Sequence, residues 1–237
     1  MTTMAWLRWD SVRHALHSTR PGSILEIGAG QGAVSARLAA CADYIGVEPD
    51  AESAAVARQR LGPRGTIVEG TVEDLPLGVQ ADLVCAFEVL EHIEDDVKAL
   101  SSWRDRMAPG GFLLISVPAH QHRFGSADEL VGHYRRYGKD QIVATVETAG
   151  FTVRRVEAYG FGLGHVLEAV RNRVVERRRG GDEKVGTPGS GRLYQPSRWL
   201  GVATMLVAAP GRVLQRVPLP RDLGVGWIVL AQGRGPT

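Results

Sequence analysis

Short apolar runs alternate with amphipathic segments of about 10–15 residues along most of the chain. The runs that predict strands lie at 23–30, 44–50, within 65–76, within 81–93, at 111–120, 151–160 and 225–233. The segments that predict helices lie at 4–19, 33–42, 51–62, 94–111 and 139–150. Because each strand run is almost continuously apolar, we expect strands buried on both faces. The alternation predicts an α/β fold: a Rossmann-like, mostly parallel sheet with helices on both faces.

The segment between the sixth and last predicted strands, 161–224, has its own pattern. It opens with an apolar-to-basic helix, "GHVLEAVRNRVVERRR", and continues through a glycine-rich stretch at 180–191. A second apolar helix is predicted around 196–208 and ends near Pro210. We interpret 161–224 as a helical insertion or lid, with a flexible linker near 180–191, inside one domain that spans 1–237.

Charge is distributed unevenly over the 237 residues, whose formal net charge is +2. Residues 1–150 carry 14 basic and 20 acidic side chains, whereas 151–237 carry 14 basic and 6 acidic ones. A basic C-terminal third predicts an anionic neighbour, which could be a substrate, a membrane surface or a nucleic acid. Nucleic acid is disfavoured because the basic cluster is short and no aromatic platform accompanies it.

No apolar run reaches the roughly 20 residues that a membrane-spanning helix needs, and no secretory signal opens the chain. Both cysteines, Cys41 and Cys85, lie in apolar surroundings, which is typical of a reduced, cytoplasmic protein. Peripheral contact with the inner face of a membrane through 161–217 remains an alternative to the lid. The sequence leaves the oligomeric state open.

The glycine-rich stretch "GAGQGA" at 28–33 is compatible with two kinds of cofactor. It fits the dinucleotide fingerprint G-x-G-x-x-A, and it also fits a G-x-G-x-G loop behind an acidic residue, Glu26. Glu48 lies twenty residues after the first glycine and could bind a ribose in either case. Glu26 disfavours a pyrophosphate through Coulomb repulsion and suits a cofactor that presents an ammonium group.

Further motifs follow in a fixed order: "LEIGAGQGAVSARLA", "GVEPD", "GTVEDLP", "ADLVCAFEVLEHI", "APGGFLLISVP" and "ETAGF". This series resembles that of the class I S-adenosylmethionine-dependent methyltransferases over residues 22–160, with the final strand at 225–233. The resemblance implies a seven-stranded sheet whose last strand inserts antiparallel beside an edge. It also implies S-adenosyl-L-methionine as the cofactor and acceptor recognition by the insertion.

The resemblance also implies cofactor-binding roles for particular residues. They are Glu26, Gly28, Ala29, Gly30, Gly32, Glu48, Pro49, Thr71, Val72, Glu73 and Phe87. Glu26 and the glycine loop would hold the methionine end, Glu48 the ribose, and Val72 with Glu73 the adenine. Relatives usually carry Asp at the position of Thr71. Since a Thr hydroxyl can accept a hydrogen bond there, we expect weaker but preserved binding.

Candidate groups for the chemistry cluster after the fifth strand, in "SVPAHQHRFGSADELVGHYRRYGKDQI". Methyl transfer requires alignment, and a base when the acceptor carries a proton. The candidate catalytic residues are His133, His120 and Tyr134, and the candidate substrate-binding residues are Arg135, Arg136, His122 and Glu88. The piece "GHYRRY" resembles a subset of bacterial relatives that act on small-molecule or lipid-like acceptors.

Structural roles are the alternative for several of these residues. Arg135 and Arg136 could pair with Glu129 or Asp128. His92 is expected to share a helix face with Glu88 and to pair with it or with Asp96. Glu91 is expected at the surface. No metal site is expected, because the His and Cys residues lack a compact ligand spacing along the chain.

These observations predict an S-adenosylmethionine-dependent methyltransferase that acts on a small hydrophobic or amphipathic acceptor. Oxygen is the favoured acceptor atom, because a histidine-rich edge suits removal of a hydroxyl proton. A carbon or nitrogen methyltransferase on the same scaffold and a non-catalytic S-adenosylmethionine-binding regulator are the alternatives. An oxidoreductase that uses NAD is disfavoured by Glu26 and the later motifs.

Overall fold

A seven-stranded sheet organises the protein in a computed structural model that describes residues 3–178 and 223–234. The strands are β1 (Ser23–Ile27), β2 (Asp43–Glu48), β3 (Thr66–Glu69), β4 (Ala81–Phe87), β5 (Met107–Pro118), β6 (Phe151–Tyr159) and β7 (Gly226–Gly233). Their order is β3-β2-β1-β4-β5-β7-β6, and β7 runs antiparallel to both of its neighbours. The predicted mostly parallel sheet, with its last strand inserted beside an edge, is confirmed.

Seven α-helices lie in the described parts of the chain. They are α1 (Thr3–Thr19), α2 (Ser35–Leu38), α3 (Ala51–Leu61), α4 (Asp96–Arg104), α5 (Ser126–Val131), α6 (Lys139–Thr148) and α7 (Leu163–Arg178). The sequence did not predict α5, whereas α7 confirms the first helix of the 161–224 segment. The predicted linker at 180–191 and helix at 196–208 lie outside the described residues. None of the helices described is long and apolar enough to cross a membrane.

The core has two layers because successive side chains of a strand point to opposite faces. Leu25 of β1 packs in one layer with Trp103 of α4. Ile24, the preceding residue, packs in the other layer with Leu7 of α1 and Ala57 of α3. The near-continuous apolar runs in the sequence therefore correspond to strands covered on both sides.

The parallel register brings the ends of the central strands to one edge of the sheet. Ile27 of β1 is paired with Val47 of β2 on one side and with Ala86 of β4 on the other. The residues that follow these three therefore emerge side by side. Open α/β sheets place ligands at this carboxyl edge.

The turn after β1 requires glycine at Gly32. Its φ is +74°, and a Cβ atom built there would lie 3.0 Å from the Cα atom of Ala57 in α3. A side chain at this position would therefore force the loop away from the helix. Close packing of the turn on α3 fixes the loop that leads towards the carboxyl edge.

We expect Gly32→Ala to lower the free energy of unfolding by about 2–4 kcal/mol, from left-handed strain and overpacking together. Gly110→Ala is the matched control, because Gly110 has a φ of +77° but nothing within 4 Å of its Cβ position. The control should lose only about 1–2 kcal/mol. Urea denaturation measures both changes, and equal losses would contradict the packing role of Gly32.

Candidate active site

A cavity of about 1000 Å³ lies at the carboxyl ends of β1, β2 and β4. Eight of the predicted cofactor residues line it: Gly28, Gly30, Glu48, Pro49, Thr71, Val72, Glu73 and Phe87. The segment after β4 contributes Glu88, Val89, His92 and Ile93 to the same wall. A smaller cavity of about 320 Å³ lies at the other end of β1 and β2, beside Ser23 and Asp43.

Glu48 is fixed at the end of β2 by two backbone donors. The Gly30 amide donates to its Oε2 atom at 2.7 Å, and the Asp50 amide donates to its Oε1 atom at 3.0 Å. Burial raises the pKa of this carboxyl group. Each carboxylate oxygen can accept a further hydrogen bond, so Glu48 can bind the hydroxyls of a ribose without moving.

The glycine loop approaches the segment after β4 very closely. A Cβ atom at Gly28, whose φ is +72°, would lie 2.5 Å from a methyl carbon of Val89. Gly28 and Ala29 both donate their amides to the Val47 carbonyl at 3.0 Å. At Gly30 nothing lies within 4 Å of the Cβ position. The loop is therefore clamped at its start and leaves open space where a ligand could lie.

Three predicted cofactor residues, Glu26, Ala29 and Gly32, do not line this cavity. Glu26 is buried behind the loop and accepts hydrogen bonds from the hydroxyls of Ser35 (2.7 Å) and Tyr44. Burial raises the pKa of Glu26 to about 7. Glu26 therefore supports the loop from behind, and its expected contact with the cofactor stays a prediction.

Thr71 and Glu73 lie on the part of the cavity wall where an adenine is expected. The amide and hydroxyl of Thr71 both donate to the Asp74 carboxylate, at 2.7 and 3.0 Å, and this cap begins a short 3-10 helix. Glu73 accepts a hydrogen bond from the Ser102 hydroxyl at 3.0 Å. The Thr71 oxygen retains a lone pair and can accept a hydrogen bond from the adenine amino group.

Glu88, which follows β4, is held in a strained backbone conformation. Its φ is +59°, and its Oε1 atom accepts hydrogen bonds from Arg8 (3.1 Å), Ser116 (2.7 Å) and Tyr159 (2.9 Å). Burial alone would raise the pKa of Glu88, but Arg8 and the hydroxyl donors lower it below its ordinary value. Glu88 therefore presents an ionised carboxylate at the cavity.

Arg8 supports the cavity wall through Glu88, and sequence reasoning missed it. It reaches from α1, is buried, and its guanidinium lies 4.9 Å from the centre of the Phe87 ring. It also donates to the Ser116 hydroxyl at 2.8 Å. The available signal was an arginine next to Leu7 on the apolar side of a predicted helix.

Glu91, His92 and His133 form a compact cluster beside the cavity. The His133 Nδ1 atom lies 2.9 Å from the Asp128 carboxylate, and its Nε2 atom lies 3.8 Å from Glu91 Oε1. The His92 and His133 rings meet edge to face, with centroids 4.6 Å apart. Of the two histidines, His92 lines the cavity and His133 lies behind that wall.

Two expectations about this segment are wrong. Glu91 is fully buried rather than exposed, because the chain folds inward after β4 and Tyr134 donates its amide to the Glu91 carbonyl at 2.8 Å. Glu88 and His92 do not share a helix face, because only a short 3-10 helix, Leu90–His92, follows the left-handed residue Glu88. A separation of four residues places two side chains on one face of an α-helix, but it does not do so in this tight turn.

The electrostatics of the cluster follow from its burial. Burial, reinforced by the nearby charge of Glu88, raises the pKa of Glu91 well above its ordinary value. Burial and then the neighbouring His133 lower the pKa of His92 to about 4. His92 is therefore a neutral imidazole at pH 7.

Three carboxylates hold the "GHYRRY" segment in place. Arg136 is buried and donates to Asp128 through Nε (2.9 Å) and Nη2 (3.0 Å), and it also pairs with Glu168. Arg135 donates to Asp96 at 3.0 Å. The pairing of Arg136 with Asp128 is confirmed. The expectation that Arg136 binds substrate is corrected, because its donors serve the protein interior.

Three other predicted residues, His120, His122 and Tyr134, do not line the cavity. His120 has a φ of +65°, and its ring lies 5.6 Å from Trp227 and 5.5 Å from His122. Tyr134 is 55% exposed. The catalytic roles expected for His120 and Tyr134 therefore gain no support from the geometry, nor does the substrate contact expected for His122.

Comparison with known proteins identifies the family. Residues 25–115 match the family model described as a methyltransferase domain. A probable S-adenosylmethionine-dependent methyltransferase from Mycolicibacterium smegmatis is 30% identical over 186 residues, which cover 72% of each chain. The chain belongs to the class I S-adenosylmethionine-dependent methyltransferases. S-adenosylmethionine is thus the cofactor of this methyltransferase.

Other proteins that are similar to this methyltransferase carry names that specify different acceptor atoms. The ubiquinone biosynthesis O-methyltransferase of Azorhizobium caulinodans is 36% identical over 125 residues, or 48% of this chain and 49% of the relative. The methyltransferase structure from Mesorhizobium loti has a TM-score of 0.62 at 14% identity, covering 95% of this chain and 97% of the other. The N-methyltransferase NodS of Bradyrhizobium japonicum, solved with S-adenosylhomocysteine, has a TM-score of 0.54 at 19% identity, covering 65% and 77%. The two structures support the fold alone.

The residues present fit S-adenosylmethionine. The space at Gly30 is open, Glu48 offers carboxylate oxygens to a ribose, and Val72 with Phe87 provides apolar walls. Substitution of Glu48 therefore tests directly whether the ribose of the cofactor binds there.

We expect Glu48→Ala to weaken S-adenosylhomocysteine binding at least tenfold, because the ribose loses its hydrogen-bond acceptor and the Gly30 amide loses its partner. Glu69→Ala is the matched control, since Glu69 is the register partner of Glu48 on β3 but does not line the cavity. Calorimetric titration measures both affinities. Unchanged affinity in Glu48→Ala would remove Glu48 from the cofactor site.

Proposed function

We propose that the methyltransferase transfers the methyl group to a hydroxyl oxygen of a small hydrophobic or amphipathic acceptor. This proposal is supported by the cavity wall that the segment after β4 forms beside Gly28. The wall combines two polar groups, Glu88 and His92, with the apolar side chains of Val89 and Ile93. Such a wall suits an acceptor with an apolar body and a hydroxyl group.

Hydrogen-bond acceptors predominate among the polar groups of this wall. Glu88 is ionised and His92 is a neutral imidazole, so both can accept a hydrogen bond from an O–H group. His133, with Asp128 on its other ring nitrogen, lies directly behind His92. The named O-methyltransferases among the relatives agree with this chemistry.

The bound cofactor supplies a methyl group on a positively charged sulfur. Glu48 and the glycine loop fix the cofactor, and Glu88 with His92 orients the acceptor hydroxyl. Val89 and Ile93 contact the apolar body of the acceptor. Alignment of two bound reactants is worth about 7–11 kcal/mol of the barrier, so positioning is the main contribution of these residues.

We expect His92→Ala and His133→Ala each to lower kcat about 100-fold while S-adenosylhomocysteine affinity stays within twofold, because both act at the acceptor end. Glu94→Gln is the control, since Glu94 is exposed on the same segment. The assay incubates the enzyme with methyl-labelled S-adenosylmethionine and a panel of alkylated phenols, catechols, amines and carboxylates. Product mass and the carbon chemical shift of the methyl group identify the bond formed.

A methyl group attached to nitrogen or carbon would replace the proposal by one of its scaffold alternatives. Tight cofactor binding without turnover of any acceptor class would favour a non-catalytic regulator. Full kcat in His133→Ala would make His133 a structural residue.

A further inference from the structure

Glu91 is a buried carboxylate without a hydrogen-bond partner. Its side chain is fully buried, and neither Oε1 nor Oε2 makes a hydrogen bond to any residue that the structure describes. Buried polar groups are rarely left in this state, and an unpaired buried carboxylate is costly. A cation beside Glu91 would remove this cost.

The imidazole rings of His92 and His133 lie close enough to Glu91 to bind the same cation. One ligand atom from each of Glu91, His92 and His133 lies within 4.8 Å of the other two. Ligand atoms about 2.0–2.2 Å from a zinc ion lie roughly 3.5 Å apart. The His133 Nε2 to Glu91 Oε1 distance of 3.8 Å is already close to that value. A small inward shift of the side chains would complete a three-ligand set.

His133 is oriented as metal ligands usually are. It directs Nδ1 to the Asp128 carboxylate at 2.9 Å, which leaves its Nε2 atom 3.8 Å from Glu91 Oε1. The outer nitrogen of His133 is therefore engaged with the protein, and the inner one is available to the cluster. A carboxylate or carbonyl on the outer nitrogen is the usual support of a histidine ligand.

We propose that Glu91, His92 and His133 bind one divalent transition-metal cation at the acceptor end of the cofactor cavity. Two nitrogen ligands and one oxygen ligand favour Zn²⁺, Co²⁺, Fe²⁺ or Mn²⁺ over Ca²⁺. The absence of a compact spacing along the chain argued against a metal site, but the fold joins residues 41 positions apart. Three protein ligands leave coordination positions open towards the cavity that His92 lines.

The cation would bind an oxygen of the acceptor in place of the direct hydrogen bond to His92, and this role rests on the proposed O-methylation. In the transfer, the acceptor O–H bond breaks and its proton leaves to solvent. The oxygen then forms a bond to the methyl carbon while the carbon–sulfur bond breaks and its electron pair stays on sulfur. A cation that lowers the pKa of a bound hydroxyl makes this oxygen a better nucleophile.

The test titrates the full chain, free of a histidine tag and treated with chelator, with Co²⁺ and with Zn²⁺ in separate calorimetric experiments. Co²⁺ also reports ligand geometry through its visible absorption. The variants are Glu91→Gln, which keeps the shape of the side chain, and His133→Ala, with Glu94→Gln as the matched exposed control. Circular dichroism and thermal unfolding establish that each variant is folded.

We expect one equivalent of either cation in the wild type and in Glu94→Gln, and at least tenfold weaker binding in Glu91→Gln and His133→Ala. Saturating Zn²⁺ should also raise the Tm of the wild type, since a ligand that binds only the native state stabilises it. Because this increase in Tm is measured on the wild type, it tests the site even where a variant fails to fold. No binding by the wild type, or equal binding by wild type and both variants, would overturn the site.

An activity measurement separates this inference from the proposed function. If the cation binds at the cluster but only nitrogen or carbon is methylated, the metal site stands and O-methylation fails. If chelated, metal-free enzyme forms the O-methyl product at the full rate, O-methylation stands and the catalytic role of the cation fails.

Discussion

One carboxylate oxygen, Glu88 Oε1, joins four elements of the fold at the edge of the sheet. Glu88 follows β4, and this oxygen accepts hydrogen bonds from Arg8 of α1, Ser116 of β5 and Tyr159 of β6. These donors hold Glu88 at a φ of +59°, a conformation that costs a non-glycine residue roughly 1–3 kcal/mol. The chain after β4 is thereby turned inward, and this turn forms the wall of the cavity beside Gly28 of the glycine loop.

Two further carboxylates, Asp128 and Asp96, hold the "GHYRRY" segment in place next to the cavity wall. Asp128 binds Arg136 and His133, while Asp96 binds Arg135 and the Tyr137 hydroxyl. Burial alone would raise the pKa of Asp128, but its hydrogen bonds to His133 and Arg136 lower it to about 2, so that it is ionised at pH 7. These contacts fix the position of the "GHYRRY" segment, and His133 is held against Glu91 and His92. The Arg136–Asp128 pair beside His133 is itself buried.

The fold and the cofactor half of the site follow from local patterns in the sequence. Strand runs, the glycine loop and Glu48 depend on short stretches of chain, and the parallel register then brings them together. The acceptor half depends on distant contacts. Arg8 lies 80 residues from Glu88, and Glu91 meets His133 only because a left-handed turn replaces the expected helix. Distant contacts also decide the position of Arg136. It lies in a polar stretch of sequence, but its partners on α5 and α7 bury it.

The proposed methyl transfer requires the reactive end of the cofactor to face the wall formed by Glu88 and His92. A crystal structure of the full chain with S-adenosylhomocysteine tests it most directly. We predict that the ribose hydroxyls bind Glu48 and that the sulfur atom lies on the side of the cavity lined by Val89 and His92. A sulfur atom directed away from His92, or a ribose bound elsewhere than at Glu48, would contradict the account.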